Sequence, residues 1–220
     1  NDAIRINGMD LNCKVIGEGG NLGCTQLGRI EYCLKGGMMN TDAIDNSAGV
    51  DCSDNEVNIK ILLNSIVADG KITKKKRDAL LEEMTDEVAG LVLRDNYLQT
   101  QAISLTKTSS VLELDSFERY LDELERSASL DRELEFLPNG EDLEERAEKS
   151  LGLTRPENAV LIAYAKMALF DSITDSNLLD DPYLEKFLFR SFPKKLSKNY
   201  KNEIRSHQLR SQIIAKVLCN

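Results

Sequence analysis

At 220 residues, 41% of them hydrophobic, the chain is long enough to bury a core as one large domain or two small ones. Its net charge of −9 argues against general nucleic-acid binding, which needs a basic field, and no apolar run approaches the ~20 residues of a membrane-spanning helix. No basic region leads into an apolar one at the N-terminus as in a secretory signal, so the chain reads as a cytoplasmic protein with neither a membrane nor a nucleic-acid partner.

The first fifty residues hold most of the glycines and two short apolar stretches, Ala3 to Ile6 and Cys13 to Ile16, set off by the Asn7-Gly8 turn signal. Both read as strands. "VIGEGGNLG", Val15 to Gly23, follows, and its register fails the dinucleotide fingerprint: counted from Gly17, the third position is Gly19 but the sixth is Leu22. A carboxylate at Glu18 would also repel a phosphate placed among these amides. "TQLGRIEYCL" then spaces Leu27, Ile30, Tyr32 and Leu34 at roughly helical intervals, and Met38 to Thr41 is a further strand candidate. Strand, helix, strand is a piece of an α/β layer.

In "DNSAGVDCSDNEVNIKILL", Asp45 to Leu63, small residues meet a helix start placed near Ser53. Unpaired amides and a hydroxyl at such a start serve as ordinary capping, or else as a site for a carboxylate. Asp45, Asp51 and Asp54 read as turn and capping carboxylates, and Lys60 as the surface partner of Glu56 one turn away.

From Asp54 onward the period is helical. Leu81, Met84, Val88, Leu91, Leu98, Ala102 and Leu105 form an apolar stripe, with Thr85 as the N-cap of a long helix. Ser110 and Glu113 have capping-box spacing, as do Thr154 and Glu157, and Pro138-Asn139-Gly140 breaks the chain between them. "NAVLIAYAKMALF" is apolar almost all round and should be a central core helix, with Tyr164 and Met167 as packing residues. Pro182 and Pro193 separate short basic helices.

Five cysteines without a CxxC pair and a single histidine, His207, favour neither a zinc site nor a disulfide framework, and no metal is expected. Charge is uneven. Glu113 to Glu148 holds fourteen acids against four arginines, and Lys186 to Lys216 nine basic residues against Glu203. These are solvated helix faces, or surfaces that attract each other or a neighbouring subunit. The first residue is Asn1, and "IIAKVLCN" stops inside an apolar stripe, so an excerpt from a larger polypeptide is expected, with more strands upstream.

Four segments, "GEGGNLG", "NTDAIDNSAGVDCSDNEVNIKILL", "RDALLEEMTDEVAGLVLRDNYLQTQAISL" and "LTRPENAVLIAYAKMALFD", together resemble the C-terminal part of the large bacterial NAD-dependent glutamate dehydrogenases. The resemblance spans nearly the whole chain. It implies oxidative deamination of L-glutamate to 2-oxoglutarate and ammonia with NAD as hydride acceptor, carried out by the longer polypeptide; the excerpt alone should be inactive. The superfamily's Glu-Gly-Ala-Asn motif beside the nicotinamide half of the cofactor is matched by Glu18-Gly19-Gly20-Asn21, with Gly20 in place of the alanine. Its Asn-Ala-Gly-Gly-Val segment and following serine are matched by Asn46 to Val50 and Ser53. This carry-over puts Asn46 at the cofactor, Val50 in the glutamate side-chain pocket and Ser53 on the distal carboxylate. The family's catalytic lysine and aspartate belong upstream, so no catalytic residue is expected here.

The fold implied is mostly α with a small α/β N-terminal part. Residues 1–68 would be the incomplete end of a Rossmann-like NAD-binding domain, 69–152 a long-helix region and 153–220 a helical C-terminal region. A homo-oligomer is expected. The alternative is a non-catalytic helical module for oligomerisation or regulation.

Overall fold

A computed structural model describes residues 5–20 and 23–220, and among them α-helix dominates. The helices run α1 (Gln26–Leu34), α2 (Asp42–Asp45), α3 (Ser47–Ala68), α4 (Lys74–Glu83), α5 (Thr85–Ser110), α6 (Leu114–Ser127), α7 (Gly140–Glu148), α8 (Arg155–Thr174), α9 (Glu185–Arg190), α10 (Lys194–Asn199), α11 (Lys201–Arg205) and α12 (Arg210–Cys219). They form two compact units, one made of Asn1–Ser47 and Leu98–Ala168, the other of Ala48–Tyr97 and Leu169–Asn220. No described helix is long and apolar enough to cross a membrane.

In the first unit the expected α/β layer shrinks to one parallel bridge, Val15 to Met38, closed by Ile16 N donating to Met38 O at 3.0 Å and Met38 N to Lys14 O at 3.1 Å. Helix α1 supplies the crossover between the two paired residues. Arg5 and Ile6 are irregular instead of extending a strand, while Ala3 and Ile4 lie outside the described residues. Two short extended segments with no further neighbour among the described residues have little to hold a ladder beyond the first rung. What fixes the segment is side-chain packing. Tyr32 is 1% exposed and its hydroxyl donates to Cys13 O at 2.8 Å, and Gly37 passes so close that an added Cβ would stand 2.3 Å from the Tyr32 ring.

The core of this unit is leucine. Leu114, Leu121 and Leu124 of α6 pack with Leu130, Leu137, Leu143, Leu153 and Leu161. The spacing of Leu114, Phe117, Leu121 and Leu124 gives α6 one apolar face, as expected from its period. The Pro138-Asn139-Gly140 break is itself a helix start: Asn139 Oδ1 accepts from Asp142 N at 2.9 Å while Asn139 N donates to Asp142 Oδ2 at 3.1 Å. Helix α7 ends with Ser150 at φ 54° and Leu151 N reaching back to Arg146 O at 2.8 Å, a closure that normally uses glycine.

Several caps differ from expectation. Thr85 donates its hydroxyl to Leu81 O at 3.4 Å and so caps nothing, because α4 ends at Glu83 and Met84 alone separates it from α5. Ser110 closes no box with Glu113: its buried hydroxyl donates to Lys107 O at 2.8 Å and accepts from Leu153 N at 3.0 Å. Glu157 does reach back to Thr154 N, at 2.6 Å, but the Thr154 hydroxyl also donates to it at 2.7 Å, and Arg146 grips both carboxylate oxygens at 2.7 and 2.8 Å. The box is thus part of a buried ion pair. In α8, Tyr164 packs on the leucine core and donates to Glu135 at 2.9 Å, whereas Met167 is 51% exposed, so this helix is not enclosed on every side.

Helix α5 covers only part of the stripe expected: Val88 packs on a core, and Leu91 and Ala102 are half-buried. Val92 and Ile103 are buried, and Leu98 and Leu105 are exposed. Apolar residues occupy more than one face of this helix, and a period alone cannot say which of two faces is covered.

The second unit centres on α3, whose Ile59, Leu62, Leu63 and Ile66 recur at three- and four-residue steps and pack with Leu188, Leu196, Ile204 and Ile214. Helix α3 stops at Gly70, φ 72°, where Lys71 N bonds back to Ile66 O at 3.1 Å. The basic C-terminal segment finds acids within the same unit: Lys195 pairs with Glu83 and Arg205 with Glu185 at 2.6 Å, while its own Glu203 pairs with Lys71 at 2.8 Å. Lys60 pairs with Glu56, as expected.

Candidate functional site

The glycine-rich loop and the segment before α3 are fastened to each other in the first unit. Glu18, 7% exposed, lies at the centre. Its Oε2 accepts from Arg29 Nε at 2.6 Å, and its Oε1 accepts from Arg29 Nη2 and from Cys24 N, each at 3.0 Å. A carboxylate and a planar guanidinium match as two parallel forks, which suits a buried pair. Arg29 also stands 3.5 Å from Asp42, so one side chain on the inner face of α1 spans both loops. The pair raises the arginine's pKa chiefly through the hydrogen bond to Glu18, and burial followed by the Glu18 charge pushes the Cys24 thiol up, holding it protonated.

The link continues through backbone and side chains. Glu18 N donates to Asp45 Oδ2 at 2.9 Å, and Asp45 Oδ1 accepts from Asn40 Nδ2 at 2.8 Å. Asn40 Oδ1 accepts from Arg155 Nε at 2.8 Å, and Arg155 Nη1 donates to Ser104 Oγ at 2.8 Å. Asp45, expected as a turn carboxylate, is the joint of this chain. Ser47 donates to Ile44 O at 2.8 Å and accepts from Gln99 Nε2 at 3.1 Å, which closes the turn that carries Asn46.

Gly19, Gly20 and Asn46 are exposed beside this network. An added Cβ at Gly17, Gly19 or Gly20 would meet no atom within 4 Å, and none of the three has positive φ. Glycine there is required neither by the backbone conformation nor by the packing of the described residues. Asn21 lies outside the described residues. The Glu18 carboxylate is buried and held by Arg29 and the Cys24 amide.

In the second unit, α3 begins at Ser47 and not near Ser53, because the turn at Asn46 follows directly on α2 and the helix propagates from there. Ser53 therefore sits in the second turn of α3, where its own amide is inside the helix. Ser53 is exposed and Val50 is 66% exposed. Asp51 and Asp54 flank Ser53, and Lys216 of α12 donates to both, at 3.2 Å to Asp51 Oδ1 and 2.7 Å to Asp54 Oδ2. Burial draws the Lys216 ammonium down, but the hydrogen bonds and charges of Asp54 and Asp51 outweigh it and hold its pKa above the ordinary lysine value.

Arg29, Asn40, Asp45, Arg155 and Lys216 were not marked by sequence reasoning as parts of the site. The one signal available was Arg29, a lone cation between Gly28 and Ile30 on the inward side of the otherwise amphipathic α1.

The arrangement is that of paired loops fastened to a helical body, and the family models assign both parts. Residues 1–106 match the model described as bacterial NAD-glutamate dehydrogenase, catalytic domain, and residues 150–220 match that described as glutamate dehydrogenase, C-terminal. The chain belongs to the bacterial NAD-glutamate dehydrogenase family. Across all 220 residues it is 50% identical to the NAD-specific glutamate dehydrogenase of Halomonas elongata, 48% to that of Pseudomonas aeruginosa and 46% to that of Mycobacterium tuberculosis. It spans 14% of the length of each of these relatives.

Proposed function

We propose that the chain is the part of an NAD-dependent glutamate dehydrogenase that completes the nicotinamide side of the cofactor site and one wall of the glutamate pocket. The whole enzyme oxidatively deaminates L-glutamate to 2-oxoglutarate and ammonia, and NAD supplies the hydride acceptor. Residues 1–68 are read as the end of its Rossmann-like NAD-binding domain, 69–152 as a long-helix region and 153–220 as a helical C-terminal region. In the cell it is read as a cytoplasmic homo-oligomer.

The observation that carries this reading is the joint between Glu18 and Asp45, which holds two loops together while leaving Gly19, Gly20 and Asn46 open. Glycines that nothing among the described residues requires suit a backbone approached closely by another molecule, here the nicotinamide ribose. Glu18 serves this site as an anchor through Arg29. Asn21 and Asn46 supply side-chain amides, each able to donate and accept. Val50 lines the glutamate side chain and the Ser53 hydroxyl donates to its distal carboxylate, a charge-assisted bond. Hydride loss from glutamate needs a proton acceptor as well, and this reading places that group on the remainder of the polypeptide.

In the full-length enzyme, Ser53→Ala is expected to raise the glutamate KM by roughly 10-fold, the worth of one hydrogen bond to a charged group, with the NAD KM little changed. Equal effects on both constants would remove the carboxylate assignment. The 220-residue chain by itself should give no glutamate-dependent NADH formation, and steady turnover by it would contradict the division of labour.

A further inference from the structure

Positions 50, 53, 54 and 57 of α3 are separated by three, four and seven residues, so Val50, Ser53, Asp54 and Val57 share one helix face. The face is open: Val50 is 66% and Val57 50% exposed, and Ser53 and Asp54 are exposed with them. On that face an anionic carboxylate brought to Ser53 would meet the Asp54 carboxylate one residue away. Asp51, one turn before Asp54, adds a second negative charge, and its Oδ2 is buried with no hydrogen-bond partner among the described residues. Left alone, the two acids would repel the ligand that the proposed function assigns to this face.

Lys216 supplies the opposite charge. It comes from α12, 162 positions beyond Asp54, and its Nζ bridges Asp51 Oδ1 at 3.2 Å and Asp54 Oδ2 at 2.7 Å. Lys60, the other cation on the nearby turns of α3, is already paired with Glu56. A single ammonium shared by two carboxylates neutralises them in part.

We propose that Lys216 is a positioning residue for glutamate binding that acts through Asp51 and Asp54: by bridging the two carboxylates it removes the repulsion beside Ser53. The proposal rests on the assignment of Val50 and Ser53 to glutamate. It makes the C-terminal helix a determinant of substrate affinity although that helix touches no substrate.

The test is steady-state kinetics of the full-length enzyme with Lys216→Met, Lys216→Arg, Asp54→Asn, the double variant Lys216→Met with Asp54→Asn, and Ser53→Ala. Lys216→Met is expected to raise the glutamate KM by about 10-fold and to leave the NAD KM within about twofold, as removal of one charge partner does. Lys216→Arg should restore most of the affinity. Removing the Asp54 charge from the Lys216→Met enzyme should recover at least half of the loss on a logarithmic scale, which mere packing by the lysine stem would not allow. Asp54→Asn alone, at an exposed position that does not threaten folding, should lower the glutamate KM. A rise in that KM with Asp54→Asn, no recovery in the double variant, or parallel changes in both KM values with Lys216→Met would overturn the proposal. If Ser53→Ala raises the glutamate KM and Lys216→Met does not, the Lys216 role alone falls; if Ser53→Ala has no effect, the underlying assignment falls with it.

Discussion

Replacing Arg29 by methionine keeps the length and much of the volume of the side chain but removes the three N–H···O contacts that reach Glu18 and Asp42. Glu18, whose side chain is 5% exposed, would retain, among the described residues, only the Cys24 amide. Breaking a buried pair by deleting one partner costs about 3–5 kcal/mol, because the remaining charge is stranded. That is roughly two to three orders of magnitude in the equilibrium for local opening. The amides of Ile16, Glu18 and Cys24, bonded to Met38 O, Asp45 Oδ2 and Glu18 Oε1, report that opening directly. Hydrogen exchange of the full-length enzyme, followed by mass spectrometry over 15–25 and 40–47, is expected to accelerate by about that factor, while peptides from the Ile59 to Ile66 core of α3 stay protected. The NAD KM should rise with it. Glu18→Gln in the Arg29→Met background removes the stranded charge and keeps an acceptor for Cys24 N, so it should slow exchange again. Unchanged exchange in Arg29→Met, or no recovery with Glu18→Gln, would refute the argument that the ion pair holds the loops together.

His207 is 6% exposed, its Nδ1 accepts from Leu209 N at 3.0 Å and its Nε2 donates to Asn58 O at 3.1 Å. Burial lowers its pKa below 6.5 despite the opposing bond to Asn58 O, so the unfolded chain takes up the proton first: stability is full above pH 6.5 and falls as the pH drops towards the folded value. As the one histidine in the chain, its ring proton gives an unambiguous NMR titration, and a midpoint at or above 6.5 would be the wrong result. Gly37→Ala forces a Cβ to 2.3 Å from the Tyr32 ring and should destabilise the first unit by about 1–3 kcal/mol, with partial relief from a smaller residue at Tyr32; a neutral effect on unfolding would contradict the close approach. Ser150→Gly, at φ 54°, should stabilise the end of α7 by about 1 kcal/mol, seen as slower exchange of the Leu151 amide.

The helices were legible because their signals are local. The Leu114, Leu121 and Leu124 face of α6 follows from spacing alone, and Pro138-Asn139-Gly140 was legible as a break, though not as the start of α7. What failed was each inference that needed to know what lies opposite. Ser110 has box spacing to Glu113, yet its hydroxyl is taken by Leu153 N, 43 residues on. Of the stripe read through Val88, Leu91, Leu98, Ala102 and Leu105, Val88 packs on a core but Leu98 and Leu105 stay exposed, while Val92 and Ile103 find the cover. At the site, the resemblance offered candidates for ligand contact, and it was silent on the residues that hold those candidates in place. Asn40, Asp45, Arg155 and Lys216 act through partners far away in sequence or across a turn, and no short motif encodes such pairings.

Each unit is sewn from two separated lengths of chain, Asn1–Ser47 with Leu98–Ala168 and Ala48–Tyr97 with Leu169–Asn220. During synthesis the residues around Glu18 and Asp45 therefore emerge well before Ser104 and Arg155, which complete their network. At bacterial translation rates the wait is of the order of ten seconds, and the second unit cannot close until α12 has left the ribosome. Neither the segment matched by the catalytic-domain model nor that matched by the C-terminal model holds a whole unit. Truncations cut at those familiar borders would divide both folding units at once, and a nascent chain stalled between them would expose the Leu121 and Leu63 cores together.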